Sequence, residues 1–138
     1  MPNDSAYLRQ AAAIPIRNGK VCVITSSNGK RWVIPKGMIE TGQTAGETAL
    51  QESWEEAGLV GVLQREPVGS YLYAKYNNTC HVTVFVMHVM QATADWPEKE
   101  FRQRNWVAPA VALERIDDPG LLEVLRAVFA DETLALHA

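Results

Sequence analysis

Apolar positions along the chain predict strands in the first two thirds and helices at the end. Two apolar runs, residues 8–16 and 21–25, flank the turn-forming segment "RNGK" and predict a hairpin. Residues 80–90 are apolar on both faces, which is typical of a central strand. The segments "APAVALERI" and "PGLLEVLRAVFADE" predict two closing helices, the second with an apolar stripe. This order of elements indicates an α+β or α/β sandwich.

A further helix is predicted in the middle of the chain, where both of its ends can be recognised. Thr44 and Glu47 form a T-x-x-E capping box, and Gly58 stands where a left-handed C-terminal cap belongs. The helix is therefore predicted over residues 45–57. One of its stripes is small and mostly apolar, which suits it to pack closely on a sheet.

Composition changes this picture little but limits the classes of function. The chain has 138 residues, of which 47% are apolar and 21% charged, and is predicted to form one domain over residues 1–138. A net charge of -3 argues against a broad nucleic-acid surface. Asp4 and Arg9 precede only a short apolar run, which fits neither a signal peptide nor a membrane span. A cytoplasmic location is therefore expected. Cys22 and Cys80 lack CxxC spacing and are predicted to be buried free thiols.

Three carboxylates crowd one side of the predicted central helix. Glu52, Glu55 and Glu56 fall within an arc of roughly 100° at the α-helical spacing. Such like-charged pairs destabilise an isolated helix by roughly a few tenths of a kcal/mol each, and the helix contains no lysine or arginine to relieve them. Mg²⁺ or Mn²⁺ would relieve the repulsion, because these cations prefer oxygen ligands and bridge to phosphates. A solvated acidic face is the alternative.

The loop "IPKGMIETGQT" before this helix favours the metal site over the solvated face. Its two glycines allow backbone N–H groups to approach an anion and carbonyl groups to approach a metal. Lys36 supplies a positive charge for a phosphate. Carboxylates beside an anion-binding loop indicate phosphoryl or pyrophosphate chemistry.

Residues 37–59 resemble the Nudix box, Gx5Ex7REUxEExGU, in which U is a bulky apolar residue. Six of its nine defined positions match, namely Gly37, Glu52, Glu55, Glu56, Gly58 and Leu59. The other three positions hold Gln43 in place of glutamate, Gln51 in place of arginine and Ser53 in place of the apolar residue. The layout of the whole chain also resembles the Nudix fold, an α/β/α sandwich with a central mixed β-sheet flanked by helices.

The resemblance implies that the chain hydrolyses a pyrophosphate linkage with Mg²⁺ or Mn²⁺. The substrate implied is a nucleoside diphosphate linked to another group, a dinucleoside polyphosphate or a diphosphoinositol polyphosphate. Glu52, Glu55 and Glu56 are the implied catalytic residues, and Glu52 is expected to orient or deprotonate the attacking water. The same three glutamates and the carbonyl of Gly37 are the implied metal ligands.

Within the family the chain most resembles the diphosphoinositol polyphosphate and diadenosine polyphosphate hydrolases. In such a pocket Arg9, Arg17 and Lys36 are expected to contact the substrate phosphates, with Arg102 or Arg104 in reserve. A solvated surface charge is the alternative for each arginine.

Two further alternatives concern the remaining carboxylates and the activity itself. Glu98 and Glu100 lie in the loop from which many family members supply another carboxylate, but a simple acidic loop is the preferred interpretation. Because Gln43 and Gln51 carry no charge, the alternative function is a catalytically weak Nudix-fold module that binds or senses a phosphorylated metabolite.

Overall fold

A computed structural model describes residues 7–131, which form an eight-stranded mixed sheet with helices on both faces. The strands are β1 (Tyr7–Arg17), β2 (Lys20–Thr25), β3 (Trp32–Val33), β4 (Lys36–Met38), β5 (Leu59–Leu63), β6 (Gly69–Lys75), β7 (Asn78–Ala92) and β8 (Arg104–Val107). The α-helices are α1 (Ala45–Ala57), α2 (Pro109–Arg115) and α3 (Pro119–Ala130), and Lys99–Phe101 form a 3₁₀ turn.

The sheet is built around β1 and β7, which run parallel, whereas the other pairs are antiparallel. The principal strand order is β3-β2-β1-β7-β5, with β4 on β1, β6 on β7 and β8 on β2. The prediction of a central strand at residues 80–90 is confirmed, because β7 pairs with β1, β5 and β6. A strand with neighbours on both sides and layers on both faces exposes little of either face, which explains its continuous apolar run.

Two apolar layers lie on opposite faces of the sheet, so the predicted α/β/α sandwich is confirmed. Along β1 the side chains alternate between them. Ala11 and Ala13 belong to the layer that α1 covers, and Ala12 and Ile14 belong to the layer under α2 and α3. Cys22 and Cys80 are buried free thiols, as predicted.

The predicted bounds of α1 are confirmed at both ends. Thr44 Oγ1 accepts a hydrogen bond from the Glu47 N–H at 3.1 Å, and Glu47 Oε1 accepts one from the Thr44 N–H at 2.8 Å. Gly58 has φ +66°, and a Cβ atom at this residue would lie 2.9 Å from Thr93 Oγ1 and from Trp96. Both ends of α1 are therefore fixed by local chemistry, which sets where its carboxylates point.

The segment after Pro35 differs from its prediction as a loop. Pro35 ends β3, as expected, but Lys36–Met38 then pair antiparallel with β1 as strand β4. The carbonyl of Pro35 accepts a hydrogen bond from the Ala13 N–H at 3.1 Å, which begins this pairing. A segment of three residues that includes a glycine is too short to show the alternation of apolar and polar residues that predicts a strand. Its pairing therefore depends on β1 alone.

Two other sequence predictions concern the limits of the chain. The single domain over residues 1–138 includes both termini outside the described residues, so that assignment stays a prediction. Within residues 7–131, no helix has the length and apolar content needed to cross a membrane.

Thr44→Ala should lower the free energy of unfolding by about 1 kcal/mol, because it removes the side-chain acceptor of the α1 capping box. Urea denaturation followed by circular dichroism measures this change. Thr41→Ala, at an exposed position three residues earlier, is the matched control and should have less effect. Equal stability of the two variants would contradict a stabilising role for the cap.

Candidate active site

A cavity of about 360 Å³ lies beside β4, between α1, β6 and the turn that joins β2 to β3. We call it the carboxylate cavity. Its acidic side chains are those of Glu52 and Glu56, and its basic side chains are those of Arg31, Lys36, Lys75 and Arg102. Both signs of charge therefore meet in one recess, as a site for a metal ion and phosphate groups requires.

Gly37 and Glu52 are in close contact on the wall of this cavity. The register of β4 sets Gly37 opposite Ala11 of β1. A Cβ atom built on Gly37 would lie 2.6 Å from Glu52 Oε1. Any larger residue would displace the Glu52 carboxyl group from this position, so the first glycine of the box lets α1 bring a carboxylate against the strand.

Glu56 is the most buried of the three helix carboxylates, with 8% of its surface exposed. Its Oε1 accepts a hydrogen bond from the Lys36 N–H at 3.2 Å, and its Oε2 lies 3.4 Å from Arg102 Nη2. Burial raises the pKa of Glu56 to about 8, although the Arg102 charge opposes the increase. Burial also raises the pKa of Glu52, and the two carboxyl groups lie close enough to influence each other. Burial therefore favours the neutral form of both groups.

Glu55 is held by a chain of side-chain hydrogen bonds through the two glutamines that depart from the Nudix pattern. Gln51 Nε2 donates to Glu55 Oε1 at 2.9 Å, and Gln43 Nε2 donates to Gln51 Oε1. Thr48 Oγ1 then donates to Gln43 Oε1 at 2.9 Å. Because an ionised carboxylate only accepts hydrogen bonds, Glu55 fixes the direction of both amides.

Arg102 connects the cavity to the carboxylate of Glu98, and the sequence had named both residues only as open possibilities. Its guanidinium lies 2.9 Å from Glu98 Oε1 and donates from Nη1 to the Thr25 carbonyl at 2.9 Å. The Arg102 side chain is only 10% exposed. It therefore lies as a largely buried cation between Glu56 and Glu98.

Arg104, the other arginine named in reserve, has a structural position. It donates to the carbonyls of Ala57 and Thr93 at 2.8 and 3.0 Å, and its guanidinium lies 4.3 Å from the centre of the Trp96 ring. These contacts hold the C-terminal end of α1, where a cation is favourable.

The three predicted phosphate contacts lie in different places. Lys36 lines the carboxylate cavity, with Nζ 5.0 Å from the centre of the Tyr73 ring, and burial lowers its pKa while Glu56 opposes the decrease. Arg17 lines a separate cavity with Trp106, and Arg9 is exposed on β1. The structure therefore brings only Lys36 of these three to the carboxylate cavity.

Arg31 and Lys75 line the carboxylate cavity but were missed by the sequence analysis. Arg31 follows the turn after β2, and Lys75 ends β6. Neither position lies in a motif, because the two residues approach Glu52 only through the pairing of distant strands. A sequence pattern could have indicated Arg31 only as the charge that begins "RWVIP".

The carboxylates around the cavity form a small donor set for a divalent cation. Among residues 7–131, no three aspartate, glutamate, histidine or cysteine side chains are gathered closely enough to ligate one ion. Mg²⁺, however, is usually bound by one or two carboxylates together with waters and substrate phosphates. The adjacent carboxyl groups of Glu52 and Glu56 supply oxygen ligands of that kind, so the residues fit a hard divalent cation.

Solved structures with the same fold include two hydrolases. A NUDIX hydrolase from Nitrosomonas europaea matches with a TM-score of 0.78 at 15% identity, covering 90% of this chain and 89% of that chain. The C. elegans Ap4A hydrolase matches with a TM-score of 0.74 at 16% identity, covering 90% and 97%. At these identities the likeness shows the fold alone.

Similarity in sequence extends over most of the chain. Nudix hydrolase 21, chloroplastic, from Arabidopsis thaliana is 33% identical over 135 residues, which cover 91% of this chain and 68% of the relative. Nudix hydrolase 4 from the same plant is 36% identical and covers 84% and 56%. The human diphosphoinositol polyphosphate phosphohydrolase 3-alpha is 32% identical and covers 75% and 66%. The chain thus spans between about half and two thirds of the length of several curated relatives.

The family model for the NUDIX domain matches residues 7–128, nearly the whole described part of the chain. The match includes the box, the sheet, α1, α2 and most of α3. The resemblance stated from residues 37–59 is confirmed, and the chain belongs to the Nudix hydrolase family.

Proposed function

We propose that the chain hydrolyses the pyrophosphate linkage of a phosphorylated small molecule and requires Mg²⁺ or Mn²⁺. The observation that carries this proposal is the carboxylate cavity, where Glu52 and Glu56 face Lys36, Arg31 and Arg102. Carboxylates suit the cation, and the basic side chains suit the phosphates. The proposed substrates are nucleoside diphosphates linked to another group, dinucleoside polyphosphates and diphosphoinositol polyphosphates.

Glu52 is the proposed general base or orienting group for the attacking water. Its contact with Gly37 limits its movement, and its raised pKa favours acceptance of a proton. Glu52, Glu56 and the Gly37 carbonyl are proposed ligands of the cation. Glu55 is also a proposed ligand, although the three carboxylates are not gathered around one point in this structure. A bound divalent cation would polarise the phosphoryl oxygens, lower the pKa of water and neutralise the leaving group.

Lys36, Arg31 and Lys75 are the proposed phosphate contacts, because all three line the carboxylate cavity. Arg102 is a further contact, although its guanidinium is already engaged by Glu56 and Glu98. Contacts of Arg9 and Arg17 with substrate stay predictions from the sequence.

The Gln43–Gln51 chain is proposed to orient Glu55 without charge. In the Nudix box an arginine at position 51 is implied to pair with box carboxylates, whereas here an amide donates one hydrogen bond to Glu55. The accompanying change to Gln43 supplies the amide donor that Gln51 Oε1 needs. The two departures from the family pattern therefore complement each other.

The cytoplasmic location also stays a proposal. Several relatives carry the words chloroplastic or mitochondrial in their names, and those locations belong to the relatives. Fractionation of the natural host with an antibody against the chain would decide its location.

A substrate panel tests the proposed function directly. Diadenosine polyphosphates, ADP-ribose, nucleoside triphosphates and a diphosphoinositol polyphosphate should be incubated with Mg²⁺ or Mn²⁺, and product release should be measured. Hydrolysis that stops when EDTA is added supports the proposal. Binding without hydrolysis across the panel would contradict it and favour the alternative function as a sensor.

Glu56→Gln should lower kcat by at least about 10²-fold at saturating Mg²⁺, because it removes a charged ligand that stabilises charge in the transition state. Steady-state kinetics on the best substrate of the panel measures the loss. Glu123→Gln on the exposed face of α3 is the matched control and should retain wild-type kcat. A Glu56→Gln variant with the same kcat as this control would contradict the role of Glu56 as a metal ligand.

The effects of substitutions at Gln43 and Gln51 should depend on each other. Gln43→Glu alone should lower kcat, roughly tenfold, because two carboxylates would then compete for the single Gln51 amide. Gln51→Arg alone should be tolerated, since arginine can donate to Glu55 and to a rotated Gln43 amide. Adding Gln51→Arg to Gln43→Glu should restore kcat and the melting temperature of the metal-free protein. Strict additivity of the single effects would show that the two glutamines act independently.

The stability of the metal-free protein should fall as the pH rises from about 5 to about 8. Burial raises the pKa of Glu56 to about 8, so the folded chain keeps a proton that the unfolded chain has already released. Glu56→Gln removes this titration. The free energy of unfolding of the variant should therefore rise relative to that of the wild type, by on the order of 1 kcal/mol or more across that range. Chemical denaturation in EDTA at several pH values measures the difference, with exposed Glu114→Gln as control. Parallel pH profiles for wild type and Glu56→Gln would contradict the burial argument.

A further inference from the structure

The C-terminal end of α1 receives hydrogen-bond donors from one distant segment of the chain. The last carbonyl groups of an α-helix have no partner within the helix and need donors from elsewhere. Here such donors lie within residues 93–104, which we call the capping segment. It runs from the end of β7 through the 3₁₀ turn to the first residue of β8. The position of this end of α1 therefore depends on a part of the chain that lies far from it in sequence.

The capping segment supplies donors to consecutive residues that include two of the proposed cation ligands. The accepting carbonyl groups are those of Glu55, Glu56, Ala57 and Gly58. Their donors are, in the same order, the Glu98 N–H, the Trp96 indole N–H, the Arg104 guanidinium and the Thr93 N–H. The first two hydrogen bonds are each 3.0 Å long. The turn that carries the two carboxylates is thus held through its own backbone.

Glu56 is held at both its backbone and its side chain. Trp96 Nε1 donates to the Glu56 carbonyl, and the Lys36 N–H donates to Glu56 Oε1 at 3.2 Å. The capping segment therefore fixes the main chain of Glu56, while β4 fixes its carboxyl group. A change at the first of these hydrogen bonds should reach the second, because one short side chain connects them.

The Trp96 ring is packed firmly against the end of α1. The Arg104 guanidinium lies 4.3 Å from the centre of the ring, which is a cation–π contact. Arg104 also donates to the Ala57 carbonyl, so the cation on this ring is itself bonded to α1. A Cβ atom built on Gly58 would lie 2.9 Å from Trp96. The indole is therefore fixed relative to the backbone that it contacts.

We propose that Trp96 is a positioning residue for the cation site, which acts by fixing the backbone of Glu56 and through it the Glu56 carboxyl group. This inference rests on the proposed function, because that carboxyl group is a proposed ligand of the cation. Trp96 does not line the carboxylate cavity, so it acts through α1 and does not touch cation or substrate. A purely structural role, in which Trp96 only stabilises the fold, is the competing outcome of the test.

The first test compares Trp96→Phe with Trp54→Phe in the metal-free protein. Trp96→Phe removes the indole N–H and keeps an aromatic ring beside Arg104. Trp54→Phe is the matched control, because it makes the same replacement at an exposed position on α1. Amide hydrogen exchange of the Lys36 N–H is measured by NMR. Because this N–H donates to Glu56 Oε1, its exchange rate reports how firmly the carboxyl group is held.

The Ile39 N–H is the internal reference. It donates to the Arg9 carbonyl at 2.9 Å and reports how well the same segment pairs with β1. The Lys36 N–H should exchange at least about tenfold faster in Trp96→Phe than in Trp54→Phe, whereas the reference rate should agree within about twofold. Equal acceleration of both amides would show a purely structural role and would overturn the proposal. An unchanged Lys36 rate would overturn it as well.

The indole N–H can also be removed with little change in the size of the side chain. Benzothienylalanine at residue 96 retains two fused rings and has sulfur in place of the N–H group. Faster exchange of the Lys36 N–H is expected with this residue too, so the comparison does not depend on the folding of Trp96→Phe.

Binding of Mn²⁺ without substrate separates failure of the positioning role from failure of the proposed function. It is measured by electron paramagnetic resonance at a temperature at which both variants are folded. Trp96→Phe should bind Mn²⁺ at least about fivefold more weakly than Trp54→Phe, a difference that a loss of stability alone does not cause. If the wild type hydrolyses nothing but this difference is found, the positioning role stands and the proposed hydrolysis fails. Equal affinities overturn the positioning role whatever the activity, and a wild type that binds no Mn²⁺ overturns both.

Discussion

The buried carboxyl group of Glu56 is the interaction on which the geometry of the carboxylate cavity depends. It accepts a hydrogen bond from the Lys36 N–H of β4 and contacts Arg102, which in turn binds the Thr25 carbonyl of β2. One side chain of α1 is thus connected to two strands and to the loop that carries Glu98. Buried charges of this kind contribute little net stability, because desolvation offsets much of their attraction. Their value here is that they fix positions.

The carboxylates of α1 are oriented by two different physical means. Glu56 and Glu52 lie against the sheet, where burial raises the pKa of each. Glu55 lies nearer to solvent and is held by two neutral amides. Neutral donors restrain Glu55 without the neutralising charge that an arginine would add. Under the proposed function, Glu55 thereby keeps its full attraction for a cation.

Sequence reasoning succeeded where the determining residues are close together in the chain. The ends of α1 follow from Thr44, Glu47 and Gly58, and the arc of its three glutamates follows from helical spacing alone. It failed for β4, because three residues pair only through the presence of β1. It also missed Arg31 and Lys75, since no local pattern indicates that two distant strand ends meet at one cavity.

The two arginines named in reserve also show that a local sequence pattern does not predict where a charge lies in the fold. Arg102 and Arg104 are two residues apart and were equivalent in the sequence, yet the first lies beside Glu56 and the second supports the C-terminal end of α1. Strand β8 begins at Arg104. Which face of the sheet each of its side chains lies on depends on its pairing with β2, which the local sequence does not give. The role of each charge is therefore a property of the sheet and not of the local sequence.

The uneven distribution of charge explains how an acidic chain can be suited to phosphate compounds. Four cations, Arg31, Lys36, Lys75 and Arg102, line the carboxylate cavity, while most of the carboxylates that give the net charge of -3 lie elsewhere in the chain. A small phosphate-rich molecule can place all its charge within reach of those cations. A nucleic acid extends its phosphates well beyond them and over acidic surface, where repulsion opposes binding. Under the proposed function, the same distribution therefore suits compact phosphate compounds better than long polyanions.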